Sequence, residues 1–134
     1  GLSIKKLRHL LDPKRLTRGG VWLKNLDKLS CEACTIDAPL VPVENYNELL
    51  KEISDWEIIH DEINILSKTF TFKTYKNSVE FANKIAVLAE EEDHHPSILI
   101  EWGLVTVRWW SHKIKGLHLN DFICASKTDK LRNL

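Results

Sequence analysis

A chain of 134 residues with 19 basic and 19 acidic side chains has no net charge, so its average gives no pull toward nucleic acid or a membrane surface. The length suits one domain with an ordinary core, and no apolar run nears the roughly 20 residues of a bilayer-spanning helix. Three cysteines, an odd number, argue against a secreted disulfide framework and for a reducing compartment such as the cytoplasm.

The charge is unevenly spread. Residues 1–30 carry eight Lys/Arg against two Asp, and the remainder eleven against seventeen. Residues 2–11 set Leu2, Ile4, Leu7, Leu10 and Leu11 among basic side chains, a weakly amphipathic helix that Asp12-Pro13 ends. Gly19-Gly20 breaks that pattern, and 21–43, with Pro39 and Pro42, reads as irregular chain. Residues 1–43 are therefore expected to be a basic extension ahead of a domain at 44–134. An arm packed on the domain is the simpler reading. A targeting segment would share the arginines but not the low serine content.

The body is more regular. Residues 45–54 form a short helix with Leu49, Leu50 and Ile53 on one side, and Trp56 to His60 reads as a strand. After a turn at Asp61-Glu62, residues 65–73 alternate, Phe70 and Phe72 on one face and Thr69, Thr71 and Lys73 on the other. From Asn77 to Asp93, Val79, Ala82, Ile85, Ala86 and Ala89 trace a helical stripe that Phe81 and Leu88 widen, and Pro96 stops it. Strands at 97–102 and 104–111 meet at Gly103. The first sets Ile98, Ile100 and Trp102 on one face, and the second sets Val105, Val107 and Trp109 against Thr106, Arg108 and Trp110. Asn120 or Asp121 caps a last helix that runs to about Arg132. The expected fold is α+β, a four-stranded antiparallel sheet with helices packed on one face, in the order α-β-β-α-β-β-α.

The chemistry collects in the last third, at Glu90, His94, His95, Pro96, Trp102, His112 and Asp121. Imidazole titrates near neutral pH, so it gives or takes protons with little driving force lost. Glu90 and His94 stand four apart at a helix end, where a carboxylate can orient an imidazole. Taken singly, each histidine reads as a polar residue at an element end. Three with a proline and flanking carboxylates favour a site. Zinc is the rival, but adjacent His94 and His95 point apart and chelate one ion poorly, so no metal is expected. Cys31 and Cys34 form a lone C-x-x-C, with Cys124 the third cysteine. Structural thiols are the first reading, and a zinc ion shared with distant histidines stays open. Trp56, Trp102, Trp109 and Trp110 read first as core or interface, with Trp56 and Trp102 the exceptions from where they fall relative to the histidines. No groove-binding motif accompanies the basic head.

The spacing Glu-x-x-x-His-His-Pro, five residues, Trp, nine residues, His, eight residues, Asp resembles the pterin-4a-carbinolamine dehydratases, bacterial members above all. The likeness covers 45–134 and includes Trp56, the segment FTFKTYKN at 70–77 and Gly116-Leu117. The CEAC-x-x-x-AP stretch at 31–39 is similar to the amino-terminal segment of bacterial members. The resemblance implies dehydration of a 4a-hydroxytetrahydropterin to the quinonoid dihydropterin, with no metal or organic cofactor. This step recycles the pterin of aromatic amino-acid hydroxylases such as phenylalanine hydroxylase. It also implies homodimers built by sheet extension, or tetramers built through helices, with no direct contact to nucleic acid or membrane. His94, His95 and His112 would be catalytic, with His94 and His112 exchanging protons and His95 orienting substrate. Glu90 and Asp121 would orient or support them, and Trp56, Asp93, Ser111 and Trp102 would line the pterin site. Which histidine is the acid stays open. Animal relatives also serve a homeodomain factor, so a non-catalytic binding protein on this scaffold is the alternative. For relatives without a hydroxylase, a molybdopterin-type substrate stays open.

Overall fold

The computed structural model of the chain describes residues 26–29, 31 and 39–133. The helix expected at 2–11 and Cys34 lie outside them. The elements are a 3₁₀ turn at Leu26–Lys28, a second at Val43–Asn45, α1 Tyr46–Leu50, β1 Glu57–His60, β2 Asn64–Thr71, α2 Tyr75–Glu92, β3 Ser97–Glu101, β4 Leu104–Trp109 and α3 Leu119–Leu131. All strand pairs are antiparallel, in the order β1-β2-β4-β3. The α+β order read from the sequence is the order found.

The hydrophobic pattern explains the layers. Leu66 and Phe70 of β2 and Val105, Val107 and Trp109 of β4 point to one face and are buried. Thr69 and Thr106 face the other way, their hydroxyls 3.0 Å apart. Period-two alternation puts one face of each strand on the core. Helices α2 and α3 cover that face and bring Phe81, Ile85, Phe122 and Ile123 into one cluster. Leu26 and Val41, inside the segment expected to lie ahead of the domain, are also buried in this cluster.

Thr74 starts α2, its hydroxyl accepting the Asn77 N–H at 3.0 Å, a cap that satisfies one open donor of the first turn. The buried stripe of α2 is Ser78, Phe81, Ala82, Ile85, Leu88 and Ala89. Ala86, which the sequence pattern places in the stripe, is exposed, and Val79 is half-buried. The larger Phe81 and Leu88 turn the helix toward themselves because they bury more apolar area than alanine. Phe81 sits 4.7 Å from Phe70 and 5.1 Å from Phe72, centroid to centroid.

The β3–β4 hairpin turns through Trp102-Gly103, with Gly103 at φ +71°. A Cβ there would approach the Phe72 carbonyl oxygen to 2.9 Å, so the position needs glycine twice over. Alternation alone puts Trp102 on the face of Ile98 and Ile100. It is the exposed tip of this turn instead, because strand β3 ends at Glu101. No helix among the described residues is long and apolar enough to cross a membrane.

Candidate active site

The closure of α2 sends two adjacent histidines in opposite directions. Asp93 takes the left-handed conformation at φ 48°, its N–H bonding the carbonyls of Ala89 and Glu90. The His94 N–H reaches back to the Ala89 carbonyl at 3.1 Å. Aspartate tolerates this region better than most residues, and the paired closure satisfies carbonyls that the helix end leaves open. His94 is thereby buried, its ring stacked on Trp109 at 5.4 Å and 18°. His95 stays in solvent, with Nε2 3.3 Å from Glu90 Oε2.

Asp121 is the hub. It is fully buried, and its Oδ1 lies 2.6 Å from His94 Nε2. Its Oδ2 accepts the Ser111 hydroxyl at 2.8 Å and the His118 N–H at 2.9 Å. A carboxylate offers only acceptors, so the contact puts a proton on His94 Nε2. The chain leaving strand β4 supplies Ser111: Trp109 and Ser111 share the core-facing parity, and the bridge from Ser111 to Gly116 fixes the turn between them. His112 follows Ser111 directly. It is exposed, with its ring 4.4 Å from that of Trp110.

Helix α3 opens with His118, whose Nδ1 accepts the Asn120 N–H at 3.0 Å while Asp121 accepts the His118 N–H. This reciprocal pair is a capping box. Burial holds the His118 imidazole below its ordinary pKa. The nearby His94 pushes the same way, and the Asp121 carboxylate and the Asn120 contact push back.

Several expectations need correction. Helical spacing pairs Glu90 with His94, but Glu90 meets His95. The left-handed turn at Asp93 carries His94 beneath the helix and breaks the four-residue relation. Asp121, expected as a candidate cap residue, stands third in α3 behind the cap His118, with its oxygens engaged by His94, Ser111 and His118. Ser111, expected to line the ligand site, is buried with its hydroxyl committed to Asp121.

Trp56, expected to wall a ligand, is buried in the core, and its Nε1 donates to Asp129 at 2.9 Å, near the other end of α3. Trp102 lies at the far end of β3 from the histidines, about 16 Å along a five-residue strand. Asp93 is exposed beside His94. Among the described residues no group of His, Cys, Asp and Glu is arranged to hold a metal ion. Cys31 lies 3.2 Å, sulfur to sulfur, from buried Cys124, and its N–H bonds Glu92 at 2.8 Å.

The sequence model of the pterin 4 alpha carbinolamine dehydratases matches residues 39–131. A relative from Photobacterium profundum that bears a pterin-4-alpha-carbinolamine dehydratase name is 57% identical over 109 residues, covering 81% of this chain and 97% of its own. The chain belongs to the pterin carbinolamine dehydratase family. A family member from Marinobacter nauticus with the same naming is 52% identical over 110 residues, covering 81% of this chain and 99% of its own. A crystal structure titled transcriptional coactivator/pterin dehydratase from Brucella melitensis superposes with a TM-score of 0.65 at 25% identity, covering 69% of this chain and 98% of that one.

Two contributors to the cluster in this dehydratase-family chain are not apparent as site residues in the sequence. Trp109 reads as one more core tryptophan. Its shared parity with Ser111 was the available signal. His118 reads as a loop residue, although His-x-x-Asp just before an apolar run mimics the capping-box pattern.

Proposed function

We propose that the chain is a hydro-lyase that removes water from a 4a-hydroxytetrahydropterin, giving the quinonoid dihydropterin by histidine acid–base catalysis. One observation carries the reading: a buried carboxylate lies 2.6 Å from His94 Nε2, and Nδ1 is then the nitrogen that serves as the base. A carboxylate that fixes tautomer and ring orientation is how an imidazole is prepared for proton transfer. The stack on Trp109 fixes the ring plane as well.

In the reaction the C4a–oxygen bond breaks while the neighbouring ring nitrogen loses its proton and becomes doubly bonded to C4a. His94 Nδ1 takes that proton. His112, exposed at the turn after β4, protonates the departing hydroxyl so that it leaves as water. No electrons are exchanged with a redox partner. His95, oriented by Glu90, donates a hydrogen bond that holds the pterin, and Asp93 borders the opening. Between turnovers exposed His112 regains its proton from solvent, and His94 gives up the one that Nδ1 took. Each positioned transfer contributes typically about 10²–10⁴-fold.

The substrate comes from an aromatic amino-acid hydroxylase in this reading, with phenylalanine hydroxylase the nearest example. The chain acts as a homo-oligomer, and β3, at the end of the strand order, offers an edge for sheet extension. The free thiols Cys31 and Cys124 suit a reducing compartment such as the cytoplasm. The Brucella structure's title also names a coactivator, so a binding role independent of the histidines is the second reading. To test the proposal, 4a-hydroxytetrahydropterin is generated in situ by a phenylalanine hydroxylase and quinonoid dihydropterin is followed by ultraviolet absorbance. Acceleration that disappears in the His94→Ala/His112→Ala protein supports catalysis. Folded wild-type protein without effect on the rate leaves the binding reading.

A further inference from the structure

Helix α3 is closed by an unusual cap. Serine, threonine, aspartate and asparagine are the ordinary choices, because their side-chain oxygen accepts from the first turn in any ordinary protonation state. An imidazole does this only when neutral, with the proton on Nε2 and the lone pair on Nδ1. His118 meets that condition: it is 1% exposed and its Nδ1 accepts the Asn120 N–H at 3.0 Å. The same residue supplies, through its backbone N–H, one of the two donors on Asp121 Oδ2. The ring contact therefore fixes the backbone at 118, and that backbone fixes the carboxylate that meets His94. The second donor to that oxygen, Ser111 beyond β4, is a single rotatable hydroxyl. The charged or titratable groups acting on His118 are Asp121 of α3 and His94 beyond α2.

We infer that His118 is a positioning residue for the dehydration, holding Asp121 so that Oδ1 meets His94 Nε2. The inference rests on the dehydratase reading. It goes beyond that reading by assigning a role to a residue outside the family spacing. Without the ring, the Asp121 carboxylate turns about its own side-chain bonds, and His94 loses the partner that keeps its proton on Nε2.

The test uses the full chain with His118→Ala and His118→Asn, and two readouts. Nitrogen-15 shifts of the His94 ring report which nitrogen carries the proton, whether or not the protein is catalytically active. Steady-state kinetics report kcat and KM separately. In wild-type protein the proton sits on Nε2. In His118→Ala both tautomers are populated, and kcat falls at least about tenfold with KM within about twofold. His118→Asn, whose amide oxygen caps the helix, restores both. If His118→Ala does not fold, His118→Gly replaces it, since glycine costs little at a cap position while removing the ring.

The inference is overturned if the ring-less variant keeps the wild-type His94 tautomer and kcat while only its melting temperature drops. It is also overturned if His118→Asn fails to restore the tautomer. A wild-type protein that does not dehydrate the pterin would sink the function reading instead, and the His94 ring shifts would still decide the positioning.

Discussion

The two ends of helix α3 each carry a carboxylate in a polar cluster, and they do opposite things. Asp121, at the start, is fully buried and bonded to a histidine, a serine hydroxyl and a backbone N–H. Asp129, eight residues and about 12 Å further on, accepts from Lys68 at 2.7 Å and from the Trp56 indole at 2.9 Å. One carboxylate faces an imidazole, a group able to give and take protons. The other faces a cation that stays charged and an indole that never ionises. In the proposed reaction the first arrangement orients a proton-transfer group, whereas the second ties Trp56 and β2 to the helix. The partner, more than the carboxylate, decides which.

The comparison is broken most directly at His94. His94→Ala is expected to lower turnover about 10²–10⁴-fold, whereas Asp129→Asn leaves turnover within about twofold. Stopped-flow absorbance of quinonoid dihydropterin separates the two. Equal losses would erase the distinction between the ends.

Stability follows in size. Trp109 is fully buried, and its Nε1 donates to Thr128 at 3.1 Å while its ring stacks on His94. Trp109→Ala should cost about 3–5 kcal/mol in urea unfolding. Trp109→Phe keeps the stack but leaves the Thr128 hydroxyl with only its bond to the Cys124 carbonyl, for a loss of about 1 kcal/mol.

The pH dependence of stability has opposite signs at the two ends. Burial holds folded His118 below its ordinary 6.5, so below that value the unfolded chain takes up a proton the native one refuses. Stability at that end is complete above pH 6.5 and falls as pH drops toward the folded value. Burial raises Asp129 above its ordinary 3.8, outweighing Lys68 and Trp56. The native state keeps that proton longer, so stability at this end falls as pH rises from 3.8 through the folded value. Urea midpoints measured across about pH 4 to 7 should lose the first slope in His118→Asn and the second in Asp129→Asn. The same change of slope in both proteins would contradict the assignment.

The smallest effect belongs to Trp56→Phe, which removes the Asp129 contact but keeps the edge-on packing against Phe70 at 6.1 Å. A loss of about 1 kcal/mol in the unfolding free energy with unchanged kcat is expected.

These contrasts also show what the sequence made legible. Alternation in β2 and β4 and the stripe of α2 are local signals, and each element appears within a few residues of its expected place. The site depends on where three separate segments meet. Spacing alone brings Glu90 and His94 together, because it carries an ideal helix past its end at Glu92. The left-handed turn at Asp93 rotates His94 into the core, and a positive φ at a non-glycine residue leaves little trace in a sequence. Asp121 was legible as a helix-start carboxylate, but not as the partner of a residue 27 positions earlier. Position in the chain and the family resemblance draw Trp56 and Trp102 toward the histidines, and the strand lengths and the Asp129 contact separate them.

In the proposed reaction buried Asp121 orients His94 for proton transfer. The most direct measurement is the rate of quinonoid dihydropterin formation by Asp121→Asn, run beside wild type and checked for folding by circular dichroism. Asparagine fills the same volume but offers His94 Nε2 an amide that can also donate. The account predicts a folded protein whose kcat falls by about 10²-fold or more. A folded Asp121→Asn protein turning over at the wild-type rate would contradict it.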